Sequence, residues 1–488
     1  MLVKDILNKL EIGNSVAEFD GSLKEYFFET QAFSDFVQGK CDIVAGDKGT
    51  GKTALFKIVY ERRATLPELR DVEVVPAFNS VGAPVFQRLI EGGAYNEGQY
   101  QTLWKSYFAS LAGSHILDSW DGRLTDSMME LDEMLCGLGL RVKVSEPGHV
   151  FSSLLNLWRR ITNPAAIESS VTITAQGMPV IKNRTEFDKP EIVGEMECAY
   201  IPHEAVFELL QKVLDEVDTT VWLVIDRLDE AFAGLPKAEI PALRALFRSY
   251  LDLAAYPRIS LKLFIRRDLF RRVITGGFVN LTHINAKRME ISWDESDLRH
   301  MLMLRVSKNP DFLAALGLDP RNKEAMYTAL FPDQIDVGEK KPKTWSWMMS
   351  RIRDGNDVRP PRHLIDLVNR AKVASIRSAE RDQTEHQGGA LLGPESFKKA
   401  LTELSKARVE DTLLAEAGNM SAYIERFRDG KAEHNETSLG RTLKQRGDEL
   451  HSTIKFLTDI GFLEQVGSSY KIPMLYRDGL SITQGKAF

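Results

Sequence analysis

The residues 46–53, Gly46-Asp47-Lys48-Gly49-Thr50-Gly51-Lys52-Thr53, match GxxxxGK[ST] at every fixed position. Each residue type has a task on a phosphate chain. Glycines reach backbone angles closed to other residues and bring N–H groups close to phosphate oxygens. A helix beginning at the end of the loop adds a favourable dipole. Lys52 reaches the β- and γ-phosphates, and the Thr53 hydroxyl is a ligand for Mg²⁺. The stretch Gly46, Asp47, Lys48, Gly49, Thr50, Gly51, Lys52, Thr53 and Ala54 is therefore expected to bind a nucleoside triphosphate. There is no NKxD base-recognition motif, so ATP is expected rather than GTP.

A second acidic centre follows 174 residues after Lys52, where the apolar run VWLVI ends at Asp226. Asp226 would hold Mg²⁺ through water. Asp229 and Glu230 lie just beyond it, and either is a candidate general base for the attacking water. Two pairs of arginines are placed to read a γ-phosphate. Arg266 and Arg267 close the run LKLFIRRD, with Arg267 preferred if Phe264 and Ile265 complete the strand. Arg359 and Arg362 lie in the first turn of a helix opened by two prolines, RPPRHLIDLVNRA.

These residues need a scaffold, and the pattern supplies one. Ile43 to Ala45 reads as a short buried strand before the loop. Leu55, Ile58 and Val59 then recur at helical spacing. VEVVPAF (72–78), the run ending at Asp226, ISLKLFIRRDLF (259–270) and NAKRMEIS (285–292) give four more strands. The near-continuous apolar character of the second of these fits a central parallel strand. Residues 83–160 read as helical, 170–199 as a hairpin-like insertion, and 203–217 as an amphipathic helix. The aromatic cluster Tyr26, Phe27, Phe28, Phe33 and Phe36 is expected to pack a lead-in helix onto the sheet.

The motifs GDKGTGKT, VWLVIDRLDE, LKLFIRRD and RPPRHLIDLVNRA occur in the order seen in AAA+/STAND-type P-loop ATPases. The chain most resembles a bacterial group of these, with an arginine after the acidic strand end, an FxRxD-like strand end and an RPR-type lid helix. The resemblance covers about residues 25–375. It implies an α/β fold: a P-loop NTPase core with a parallel sheet flanked by helices, followed by a helical lid. It places Arg266 or Arg267 at sensor 1 and Arg359 or Arg362 at sensor 2. It also implies ATP-driven switching, often in homo-oligomers, and such proteins recur in bacterial antiviral defence, where a separately encoded protein effector would respond. Asp226 is followed by Arg227 rather than by a second acidic residue, a departure from the usual pattern.

The expected domains are a lead-in (1–30), the core (31–292) with an insertion at about 83–200, the lid (293–376) and a C-terminal region (377–488). Residues 377–393 are polar and read as a linker. Residues 437–475 fit a winged helix: two helices, then two short strands around Gly-Ser-Ser. From 401 to 488 the chain has 12 Lys/Arg and 13 Asp/Glu, a weak electrostatic footprint for DNA. A protein partner is the first expectation for this region, and a DNA-associated loader or initiator is the alternative.

The whole chain of 488 residues carries a net charge of −6, which excludes a protein basic along its length. The three cysteines form no CxxC pair, so no structural zinc is expected. No signal peptide is read at the start, and no apolar run is long enough for a membrane span. A cytoplasmic setting is therefore expected. LSGGQ, GxSxG and HExxH signatures are absent.

Overall fold

The computed structural model describes residues 1–78, 96–141, 167–173, 179–185, 202–228, 236–275 and 277–488. These residues form two compact units, each discontinuous in sequence. One comprises Met1–Phe33, Gly46–Ile58 and Glu290–Phe488, and the other Ser34–Ala45 and Val59–Met289.

The second unit is built on a five-stranded parallel sheet. Its strands are β1 (Ile43–Gly46), β2 (Val72–Phe78), β5 (Thr220–Ile225), β6 (Ile259–Arg266) and β7 (Arg288–Glu290). Their spatial order is β2-β5-β6-β1-β7. The intervening β3 (Ile167–Ile173) and β4 (Pro179–Thr185) pair antiparallel as a separate hairpin, matching the β-branched run read from sequence. β2 and β5 run parallel with Val74 opposite Trp222, and β5 and β6 with Leu223 opposite Leu261. All but the first residue of β5 are buried, which is why that strand reads as an unbroken apolar run.

Helices Glu97–Ser119 and Pro236–Leu253 cover the sheet through Trp104, Phe108, Leu243 and Phe247. Trp104 stacks on Phe108 at 5.6 Å, and its indole N–H donates to the Ala242 carbonyl at 2.9 Å. Helix Glu97–Ser119 starts at a capping box, Asn96 with Gln99, and so satisfies two otherwise orphaned N–H groups.

One buried charge breaks the apolar pattern of β6. Lys262 is 1% exposed. Its ammonium donates to Asp42 Oδ1 at 2.6 Å and to the Cys41 carbonyl at 3.2 Å, and lies 4.1 Å over the Trp222 ring. Full pairing is what makes such a burial tolerable.

The other unit has its own core, drawn from the N-terminal residues Ile6, Leu7 and Leu10, from the helices between Glu295 and Asp382 and from the C-terminal region. Arg305 ties the N-terminal segment in by donating to the Ile12 carbonyl at 2.7 Å and to Asp20 Oδ2 at 3.0 Å, and Tyr26 donates to Asp20.

The aromatic cluster of the lead-in does not act as one group. Phe36 packs on Trp222 and Phe264 of the sheet, but Phe28 stacks on His300 and contacts Trp293. The polar run 377–393 is not a free linker either. Helix Pro361–Asp382 continues into it, and Leu391 and Leu392 are buried, with their N–H groups bonded to the carbonyls of Ala329 and Leu330. A two-leucine anchor is too short a signal to stand out in a polar stretch.

The C-terminal region has the winged-helix arrangement. Strand β8 (Lys431–Asn435) leads into helices Glu436–Leu443 and Gly447–Asp459, followed by β9 (Glu464–Val466) and β10 (Ser469–Lys471). β11 (Thr483–Lys486) completes a sheet of order β11-β8-β10-β9. β9 and β10 pair antiparallel with Val466 opposite Ser469, so the turn is Gly467-Ser468, with Gly467 at φ +59°.

Candidate functional site

The phosphate-binding loop leaves β1 at Gly46 and enters helix Lys52–Arg62. Gly49 and Gly51 have φ of +79° and +101°, angles that a residue with a Cβ adopts only under strain. Gly49 is also closely packed. A Cβ placed there would lie 3.0 Å from Arg362 Cβ and 3.3 Å from Pro360 Cβ. At Gly46 it would lie 2.6 Å from Thr50 Oγ1.

Thr50 is 2% exposed and closes the loop internally, its hydroxyl donating to the Asp47 carbonyl at 2.8 Å. Lys52 turns back over the loop. Its ammonium donates to the carbonyls of Gly46 at 2.8 Å and Asp47 at 3.0 Å. A cation held at a glycine-rich turn ahead of a helix N-terminus suits a polyphosphate. Thr53, one residue into the helix, is half-buried, with a hydroxyl suited to a hard cation.

Two residues that no motif marks anchor this loop and the helix that follows it. The Trp293 indole N–H donates to the Thr50 carbonyl at 2.8 Å, just ahead of helix Glu295–Ser307. A lone tryptophan ahead of a helix carries no recognisable pattern, so only the fold reveals it. Lys57, on the helix after the loop, donates to the carbonyls of Ala17 at 2.9 Å and Asp20 at 3.1 Å.

Arg359 and Arg362 lie on the segment that packs against Gly49. Arg359 is paired with Asp357 at 3.0 Å and reaches Glu295 at 3.8 Å. Arg362 stands in the first turn of helix Pro361–Asp382. The turn before it is built on Asp354, which accepts the N–H groups of Asn356 at 2.9 Å and Val358 at 3.0 Å. Burial pushes the Asp354 carboxyl up to about 6, against the lowering effect of those two N–H groups, and the nearby charge of Asp47 adds to the rise.

In the sheet unit, Asp226 follows directly on β5 and is 1% exposed. Its Oδ1 accepts the Arg227 N–H at 2.9 Å, and Arg227 has φ +60°. A buried carboxylate at a strand end beside a left-handed non-glycine residue is the kind of strain that collects at working sites. Asp229 and Glu230 lie outside the described residues. β6 runs through Arg266, and Arg267 opens the next helix. The strand therefore extends one residue beyond the end that favoured Arg267. Arg266 is held in a two-bond fork to Asp268, at 2.9 and 3.1 Å.

A separate feature appears on the winged helix. A cleft of about 890 Å³ is lined by Glu436, Arg441, Lys444, Arg446 and Glu449, among others. Arg441, Lys444 and Arg446 are exposed, and none of the three makes an ion pair among the described residues. The acids beside them are engaged: Glu449 accepts from Gln445 at 2.8 Å, and Glu436 lies 3.0 Å from His451. Lys444 has φ +51°, the sharp stop that turns the first helix into the second.

No family model and no curated protein matches the sequence. Among solved structures, the chain is similar to the Aeropyrum pernix ORC2 protein in its ADPNP–ADP complexes. The identity is 14%, over 94% of this chain and 96% of that one, with a TM-score of 0.43. It is also similar to the Aeropyrum pernix ORC1 protein in complex with DNA, at 13% identity, 96% of each chain and a TM-score of 0.37. The ADP form of ORC2 gives 14% identity, 91% of this chain, 87% of that one and a TM-score of 0.31. Likeness at this level says nothing of function. No helix among the described residues is long and apolar enough to cross a membrane.

Proposed function

We propose that this chain is an ATP-binding and ATP-hydrolysing P-loop ATPase that works on DNA through its winged helix. The observation that carries the ATPase reading is the loop Gly46–Thr53, with two glycines at positive φ and Lys52 held over its carbonyls. Backbone N–H groups and Lys52 hold the phosphates. Thr53 and Asp226 are the residues that would hold Mg²⁺, assigned by residue type and, for Asp226, by its position after a strand. Bound Mg²⁺ supplies charge neutralisation on the phosphate oxygens. Asp229 or Glu230 takes the proton of the attacking water. Arg266 or Arg267, and Arg359 or Arg362, read the γ-phosphate.

Two uses of such an ATPase follow from the sequence: control of a protein effector, and association with DNA. The cleft favours DNA. Three exposed cations that make no ion pair among the described residues, grouped at the turn between two helices, form a local basic surface on a region whose summed charge is near zero. Duplex phosphates respond to the local group rather than the sum.

Phosphate release from ATP tests the enzyme reading. Wild type turns over, and Lys52→Ala falls to background. Turnover that survives both Glu230→Gln and Asp229→Asn would remove both candidates for the base. Binding to a labelled random duplex at several salt concentrations tests the DNA reading, which requires affinity to fall steeply with salt.

A further inference from the structure

One short segment, residues 353–362, touches the phosphate-binding loop at one end and the wing at the other. At the loop end, Pro360 and Arg362 stand against Gly49 so closely that a Cβ there would be 3.3 and 3.0 Å from their Cβ atoms. At the wing end the backbone itself is joined. Gly355 donates its N–H to the Gly461 carbonyl at 2.7 Å, and the Asn356 side chain donates to the Asp459 carbonyl at 3.2 Å. The join has no slack. A Cβ on Gly355 would lie 2.6 Å from the Leu463 carbonyl oxygen, and one on Gly461 would lie 2.8 Å from Asp354 Oδ2.

A chain of ion pairs runs along the same segment. Glu295 faces Arg359 at 3.8 Å, Arg359 pairs with Asp357 at 3.0 Å, and Asp357 pairs with Arg353 at 3.1 Å. Arg353 then grips Glu464, the first residue of β9, with two hydrogen bonds of 3.1 Å each. Arg353 therefore divides its charge between a residue of the lid turn and a residue of the wing.

We infer that residues 353–362 couple the nucleotide state of the P-loop to the winged helix, with the Arg353–Glu464 fork as the coupling link. The inference rests on the P-loop reading above. A triphosphate in the loop, which Pro360 and Arg362 pack against, adds negative charge next to Arg359 that competes with Asp357. Asp357 released from Arg359 draws more of Arg353, and Arg353 is drawn from Glu464. The wing and the end of the second helix then respond to ATP without touching it. Such a link needs two sites and a differential contact in each state, and it acts in both directions: DNA on the winged helix changes ATP affinity by the same factor.

The test needs no DNA. Binding of mant-ATP to the full chain is measured first, and hydrogen exchange over residues 459–471 is then followed with and without ATPγS. Wild type should bind mant-ATP and change its exchange in this stretch by about fivefold or more. Glu464→Gln and Arg353→Gln open the link from opposite ends and lie outside the nucleotide contacts. Both should bind mant-ATP within about twofold of wild type, as expected for a partly exposed pair, and both should lose the exchange response. Circular dichroism melts establish that each variant is folded, and two independent variants guard against one that is not. Wild type that binds mant-ATP with no change over 459–471 overturns the coupling while leaving the P-loop reading intact. A full response in both variants overturns the assigned link. Wild type that binds no mant-ATP overturns the P-loop reading and the coupling with it.

Discussion

Two turns in this chain meet negative charge in opposite ways. The phosphate-binding loop turns inward. Thr50 is buried, Lys52 lies on the loop's own carbonyls, and Trp293 pins the Thr50 carbonyl. The turn of the winged helix faces outward, with Arg441, Lys444 and Arg446 exposed around an open cleft and held by no ion pair among the described residues. The first is prepared for one compact anion whose oxygens replace the internal partners of the lysine. The second suits an extended polyanion that can meet several cations at once. The difference teaches that anion affinity is not read from net charge. The loop sits in a chain of charge −6, and the cleft sits in a region balanced nearly to zero.

The sharpest way to break this comparison is to remove the cation on the inward side. Lys52→Ala should weaken ATP binding by about 100-fold, the scale of one charge-assisted contact near 3 kcal/mol. DNA binding by the same variant, measured without nucleotide, should not change. On the outward side, the triple change Arg441→Ala, Lys444→Ala and Arg446→Ala should weaken duplex binding by about 30-fold at moderate salt. It should also flatten the slope of log affinity against log salt by about 3. Fluorescence anisotropy over a salt series reads both quantities, and ATP affinity should stay at the wild-type value. Loss of ATP binding here would mean that the two turns are not separable sites.

A third change sharpens the steric part. Gly49→Ala forces a Cβ into positive φ and against Pro360 and Arg362, costing about 1–2 kcal/mol locally. ATP affinity measured by calorimetry should fall about tenfold.

The smallest expected effect lies on the segment between the two turns. Burial raises the Asp354 carboxyl to about 6 in the folded chain, so the folded state holds that proton more tightly than the unfolded one. The stability this contributes is fully present below about pH 4 and is lost as pH rises through about 6. Asp354→Asn keeps an acceptor for the Asn356 and Val358 N–H groups without the buried charge. At pH 7.5 it should raise stability by about 1 kcal/mol, and in urea melts from pH 4 to 7 it should remove part of the fall in stability.

Much of this was legible in the sequence because it depends on local pattern. The loop residues are contiguous, and the apolar runs of β1, β2 and β5 announce themselves as buried strands. The two winged helices and the tight turn of the wing follow from periodicity and a Gly-Ser pair. What was not legible depends on contacts distant in sequence. Trp293 holds Thr50 across 243 residues, and Arg353 meets Glu464 across 111. Lys262 interrupts an apolar strand because Asp42, one residue ahead of β1, pairs with it. The tail's summed charge, 12 basic against 13 acidic residues, discards position. The fold restores position, setting the three cations of the turn around a single cleft while His451 and Gln445 engage the neighbouring glutamates.

Titration of the purified chain with ATP and Mg²⁺ by calorimetry, wild type beside Lys52→Ala, tests the central claim most directly. The predicted result is saturable binding of one ATP per chain in wild type, with binding lost in Lys52→Ala over the same concentration range. Wild type that binds no ATP, or a Lys52→Ala chain that binds it equally well, would contradict the account.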